Sequence, residues 1–258
     1  LSVWDYTANF DNPTIPYPDW FKWGNNLKYQ HERGVIGYYG EGLAYELPGR
    51  DLVELVVYLQ SRLLWDVDRN ATALMEHFLN SYYGAAAPHV MVYMTTMIDL
   101  MHEVGMCRAT GGDGGEGYPA SAAFLTPAAV LTGAKAFADA RAVVLTNPAE
   151  LGRVDRAKLG LYFVALLRWD EIRAYAEGIY QPWPLEATVS EAFEEYSRVA
   201  NDTASVLRCY FAENYPDPVQ TMWKTVLLVY FLGENRLFIK PGSGQTHGAP
   251  LKMNCFRR

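Results

Sequence analysis

Two short β-type runs open the chain, and helical periodicity takes over after them. Leu1-Ser2-Val3-Trp4-Asp5-Tyr6 mixes β-formers with aromatics, then breaks into a turn-rich stretch between Asn9 and Pro18. A second run, Gly34-Val35-Ile36-Gly37-Tyr38-Tyr39, ends in Gly40-Glu41-Gly42. Residues 20–33 between them have the length of a crossover helix, built on Asn26-Leu27-Lys28-Tyr29-Gln30-His31-Glu32 and stopped by Gly34. A strand–helix–strand order predicts that the two strands pair in parallel.

From there on, Leu52, Leu55, Val56, Leu59 and Leu63 fall at helical spacing, with Asp51 as the expected N-cap. Asp68 or Asn70 caps the next helix, which carries Leu74, Phe78 and Tyr82 on one face. Pro88 suits the first turn of a third helix running to about Val104. Residues 111–117, glycine-rich, predict a loop, and helices resume over residues 127–144, 148–177 and 188–203. Pro182 and Pro184 break the last two apart, and residues 240–248 read as extended.

Two parallel strands do not make a stable sheet alone, because parallel sheets are covered on both faces and have several strands. The expected fold class is therefore α/β: the last β/α units of a TIM-like barrel over residues 1–66, then a mostly α-helical domain over residues 67–258. The chain opens on Leu1 rather than Met, as a processed protein or an excised piece does. The first half of the barrel is expected upstream.

Composition narrows the function. The 258 residues are 50% hydrophobic and 14% aromatic, which excludes a disordered chain. A formal net charge of -7 argues against nucleic-acid partners, whose phosphates call for a basic stripe. No apolar run reaches the roughly 18 residues of a transmembrane helix, so no membrane partner is expected. Cys107, Cys209 and Cys255 are too few and too scattered for a disulfide framework or a CxxC metal site.

The chemistry is expected at the strand ends. In a parallel barrel, functional groups stand at the C-terminal ends of strands. Here the first strand offers Trp4, Asp5 and Tyr6, and the second offers Tyr38, Tyr39 and Glu41. Carboxylates beside aromatic rings suit a sugar: a ring stacks on the apolar side of a pyranose while a carboxylate handles hydroxyls or protons. Asp5 and Glu41 are the candidate catalytic pair, and Trp4, Tyr6, Tyr38 and Tyr39 the candidate substrate-binding residues. A strand Trp or Tyr is more often core than sugar platform, and Asp5 can equally cap a turn.

Other motifs carry less. His31, His77, His89, His102 and His247 show no metal-ligand spacing. The GxSxG elbow of a serine hydrolase is absent, and residues 111–117 lack the Lys-Ser/Thr of a phosphate loop. Cys107 reads as a helix-end thiol rather than a nucleophile. Neither metal nor organic cofactor is implied. Two N-glycosylation triplets occur, Asn70-Ala71-Thr72 and Asn201-Asp202-Thr203.

Several segments together resemble a family. Trp4-Asp5-Tyr6, Asn9-Phe10, Pro16-Tyr17-Pro18, Asn26-Leu27-Lys28-Tyr29 and Gly34-Val35-Ile36-Gly37-Tyr38 follow one another as they do in the domain-of-unknown-function family 4838. Leu63-Leu64-Trp65-Asp66, Glu76-His77-Phe78 and Tyr82-Tyr83-Gly84-Ala85-Ala86-Ala87-Pro88 continue the match, which spans residues 4–93. Parts of that family are classed as glycoside hydrolase family 163. The resemblance implies a barrel glycosidase followed by a helical region, acting on N-acetylglucosamine linkages with help from the substrate's own acetamido group. Family members often carry Glu-Gln before the glycine after the second strand, where this chain has Gly40-Glu41-Gly42. The expected function is glycoside hydrolysis, which favours an extracellular or secretory setting. The competing readings are a non-catalytic carbohydrate-binding protein and a helical scaffold.

Overall fold

The computed structural model describes residues 1–7, 9, 14–41, 51–106 and 117–211, with Glu41 and residues 203–211 as backbone only. Strand β1 (Ser2–Tyr6) is followed by helix α1 (Trp23–Glu32) and strand β2 (Gly37–Glu41). The strands pair in parallel, from Ser2 opposite Gly37 to Tyr6 opposite Glu41. Gly34 ends α1 as its sequence position predicts: it takes φ 79°, a left-handed conformation open to glycine at no steric cost. Together the two strands form the whole sheet among the described residues.

The rest is helical: α2 (Val53–Trp65), α3 (Ala71–Tyr83), a 3-10 turn at Gly84–Ala86, α4 (Ala87–Glu103) and α5 (Pro127–Val143). After these come α6 (Pro148–Ala157), α7 (Leu159–Leu167), α8 (Trp169–Gly178) and α9 (Val189–Phe211). Asn70 caps α3, its side chain accepting from the Ala73 N–H at 3.0 Å. Thr126 and Asn147 cap α5 and α6, each followed by a proline in the first turn. The cap expected of Asp51 is not made: α2 starts on Leu52, held left-handed at φ 49°, with no side-chain cap. Asp51 instead lies buried and accepts a hydrogen bond from the Tyr93 hydroxyl at 2.7 Å.

The single helix expected over residues 148–177 is three helices. α6 gives way to α7 at Lys158, whose ammonium turns inward to Glu195, at 3.1 Å. Arg168 ends α7 with φ -125°, its guanidinium donating to the carbonyls of Ala120 and Leu125. Between these breaks α7 (LGLYFVALL) is apolar on every side and is the central helix, as such a helix must be. Gly133 lets α5 come close, since a Cβ there would stand 2.6 Å from the Leu161 side chain.

One hydrophobic core runs from Ile15 to Ala200. Trp20 and Trp23 are fully buried in it, and Trp20 meets the Tyr93 ring at 5.7 Å. Asn9 ties the opening segment to the helices: its amide donates to the Tyr118 carbonyl at 2.9 Å and accepts from the Tyr118 N–H at 3.1 Å. Among the described residues, no helix is long and apolar enough to cross a membrane.

Candidate functional site

Strand alternation sorts the sequence-chosen residues onto two faces of the sheet. Trp4 stands opposite Tyr39, and their rings meet edge-on at 4.7 Å. Both are open to solvent, Trp4 at 63% and Tyr39 at 56% exposure. Two rungs on, Tyr6 stands opposite Glu41. The Glu41 side chain, the Gly42 that follows, residues 111–116 of the glycine loop, Cys107, His247 and Cys255 all lie outside the described residues.

The other face carries Val3, Tyr38 and Asp5 and packs toward the helices. The Tyr38 hydroxyl donates to Asp5 Oδ2 at 3.0 Å. Burial, reinforced by the negative charge of Asp5, pushes the Tyr38 hydroxyl well above its ordinary pKa, so it stays a donor. The Lys22 ammonium lies 3.9 Å from the same Asp5 oxygen and 3.4 Å from Asp19, and rests 4.5 Å from the Trp23 ring. The structure thus joins Trp4 to Tyr39 and Asp5 to Tyr38, and the sheet separates the two pairs.

Beside β1 lies a cleft of about 530 Å³. Trp4, Asp5, Asp19, Lys22, Gln30 and His102 are among its lining residues. Its polar groups come from β1, the turn before α1, α1 itself and the end of α4. Sequence reasoning passed over Asp19 and Lys22, and weighed His102 only as a metal ligand. Asp19 and Lys22 stand three apart, the spacing of a charge pair on one helical turn, which is a legible signal. His102 sits 97 positions from Asp5, and only tertiary packing brings it to the cleft.

No group of three or more His, Cys, Asp or Glu that could hold a metal occurs among the described residues. No curated protein and no solved structure matches the chain. Residues 1–95 carry both strands, α1 to α3 and the first half of α4. They match the model of a family described as a domain of unknown function (DUF4838), and over that span the chain is similar to that family.

Proposed function

We propose that this protein is a glycoside hydrolase-like protein whose sugar subsite is the Trp4–Tyr39 face of the sheet. A single observation supports this reading: two large aromatic rings lie in register on adjacent parallel strands and face solvent, two rungs from the Tyr6–Glu41 pair. Two such rings side by side on one sheet face make a contiguous exposed apolar surface, the kind that marks a binding site more than a lone exposed ring does. A pyranose covers them by stacking, and β1 and β2 serve as adjacent staves of a barrel with these rings on its inner wall. N-acetylglucosamine-containing glycans are the proposed substrates, on the resemblance of residues 1–95. Glu41, at the strand end, is the group proposed to act on the reacting sugar.

The position of Asp5 favours a second reading, non-catalytic carbohydrate binding. Its Oδ2 accepts from Tyr38 with Lys22 nearby, which is the arrangement of a positioned acceptor rather than of a proton donor. The two readings part in one experiment on the full-length protein: hydrolysis of an aryl N-acetyl-β-glucosaminide, alongside binding of chitobiose followed by tryptophan fluorescence. Glycosidase function predicts that Trp4→Ala weakens binding about tenfold, the worth of a stacked aromatic contact. It also predicts that Glu41→Gln abolishes most turnover while binding persists. Binding without turnover in the parent selects the second reading, and binding unaffected by Trp4→Ala removes the proposed subsite.

A further inference from the structure

Away from the sheet, a small cavity of about 70 Å³ opens between α5, α7 and the segment leading into α9. Phe137, Leu161 and Leu185 give it apolar walls, and Arg141, Lys158, Tyr162 and Glu186 supply its polar lining. Two of those polar groups are buried and have no hydrogen-bond partner among the described residues: the Tyr162 hydroxyl and Glu186 Oε2. Tyr162 is only 5% exposed. Buried polar groups are nearly always satisfied, so two orphans on one small cavity indicate what belongs in it.

Charge decides the class of molecule. Arg141 and Lys158 are engaged elsewhere: Arg141 Nη1 donates to Glu195 Oε1 at 3.0 Å and lies 3.1 Å from Asp155, and Lys158 donates to Glu195 at 3.1 Å. Arg198 joins the same carboxylates and also pairs with Asp202 at 3.1 Å, so three cations face Asp155, Glu195 and Asp202; no net positive charge is left for an anion, and Glu186 repels one. A cationic ligand meets Arg141 and Lys158. A neutral hydroxyl suits both orphans at once, its oxygen accepting from the Tyr162 O–H and its own proton donated to Glu186 Oε2. We propose that this cavity binds a small neutral alcohol or phenol, its hydroxyl between Tyr162 and Glu186 and its body against Phe137, Leu161 and Leu185.

The test is a titration of the full chain with phenol, and with toluene as the apolar match lacking the hydroxyl, followed by ligand-observed NMR. A ligand this small, in a cavity about half the ~150 Å³ that accommodates benzene, projects from the open side and binds with a Kd on the order of millimolar. Phenol should saturate, toluene should bind at least several-fold more weakly, and Tyr162→Phe and Glu186→Gln should each weaken phenol about tenfold. Tyr162→Phe removes a hydroxyl without a protein partner, so its Tm without ligand should be equal to or above that of the parent. Equal binding of phenol and toluene, undiminished phenol binding by Tyr162→Phe, or no saturation because water alone occupies the cavity, overturns the proposal.

Discussion

At the scale of single residues, burial and partners decide roles that residue type leaves open. Trp4 and Trp20 are the same amino acid, 16 positions apart in turn-and-strand sequence. Trp20 is sealed against Tyr93, whereas Trp4 faces water beside Tyr39. Nothing local in the sequence distinguishes them, since the packing partner of Trp20 is 73 positions away. Asp51 shows the same limit: its place before an amphipathic run predicts a cap, yet it serves a tyrosine on another helix. Burial, reinforced by Asp51, holds the Tyr93 hydroxyl well above its ordinary pKa, so that it remains a donor. Tyr93→Phe takes one donor from a buried carboxylate without opening a cavity. The expected cost is about 1–3 kcal/mol of unfolding free energy, measured by denaturant titration at pH 7. A change below 0.5 kcal/mol would show that the bond carries no net stability.

At the scale of elements, the sequence is most legible where a helix announces its own start. Asn70, Pro88, Pro127 and Pro148 each mark a first turn correctly, because capping and proline geometry are local physics. Helix ends made by long-range contacts leave no such mark. Lys158 and Arg168, where the breaks fall, are neither glycine nor proline, and at each the side chain turns to a distant group, Glu195 or the carbonyls of residues 120 and 125. The local kind of signal is testable at α3. Asn70→Ala removes the acceptor for the Ala73 N–H and should cost about 1 kcal/mol, while Asn70→Asp or Asn70→Ser should retain most of it. Thermal unfolding of the three variants checks the order, and equal losses in all three would mean that the side-chain cap contributes little. The parallel pairing of β1 and β2 was legible for a different reason, the strand–helix–strand order itself. The hydrogen bond of Tyr38 to Asp5 was not, because it depends on register.

At the scale of the molecule, a charged cluster joins the last helix to the body, and its carboxylates tie it to the fold's response to acid. Arg141 from α5, Asp155 from α6, Lys158 just after α6 and Glu195 and Arg198 from α9 converge, with Arg198 donating to Glu195 at 2.9 Å. Burial alone would raise the Glu195 carboxyl, but the hydrogen bond from Arg198 and the attraction of Lys158 and Arg141 overcome it and bring its pKa down to about 2. A carboxyl depressed in the folded state adds stability above its unfolded pKa and loses it as pH falls toward the folded value. Here that window runs from about pH 4.5 to about pH 2, and with solvent screening this half-buried carboxyl the stake is on the order of 1–2 kcal/mol. Glu195→Gln cannot titrate, so its unfolding free energy should fall less steeply than the parent's between pH 5 and pH 2.5. At pH 7 the same variant should be less stable by several kcal/mol, because Lys158, almost wholly buried, loses its closest carboxylate. Urea unfolding at a series of pH values measures both effects together. A variant with the parent's acid slope would place the acid sensitivity elsewhere. A variant with a flat slope would identify this cluster, which lies beyond residues 1–95 and apart from the Trp4–Tyr39 face, as the acid-sensitive joint between α9 and the helical core.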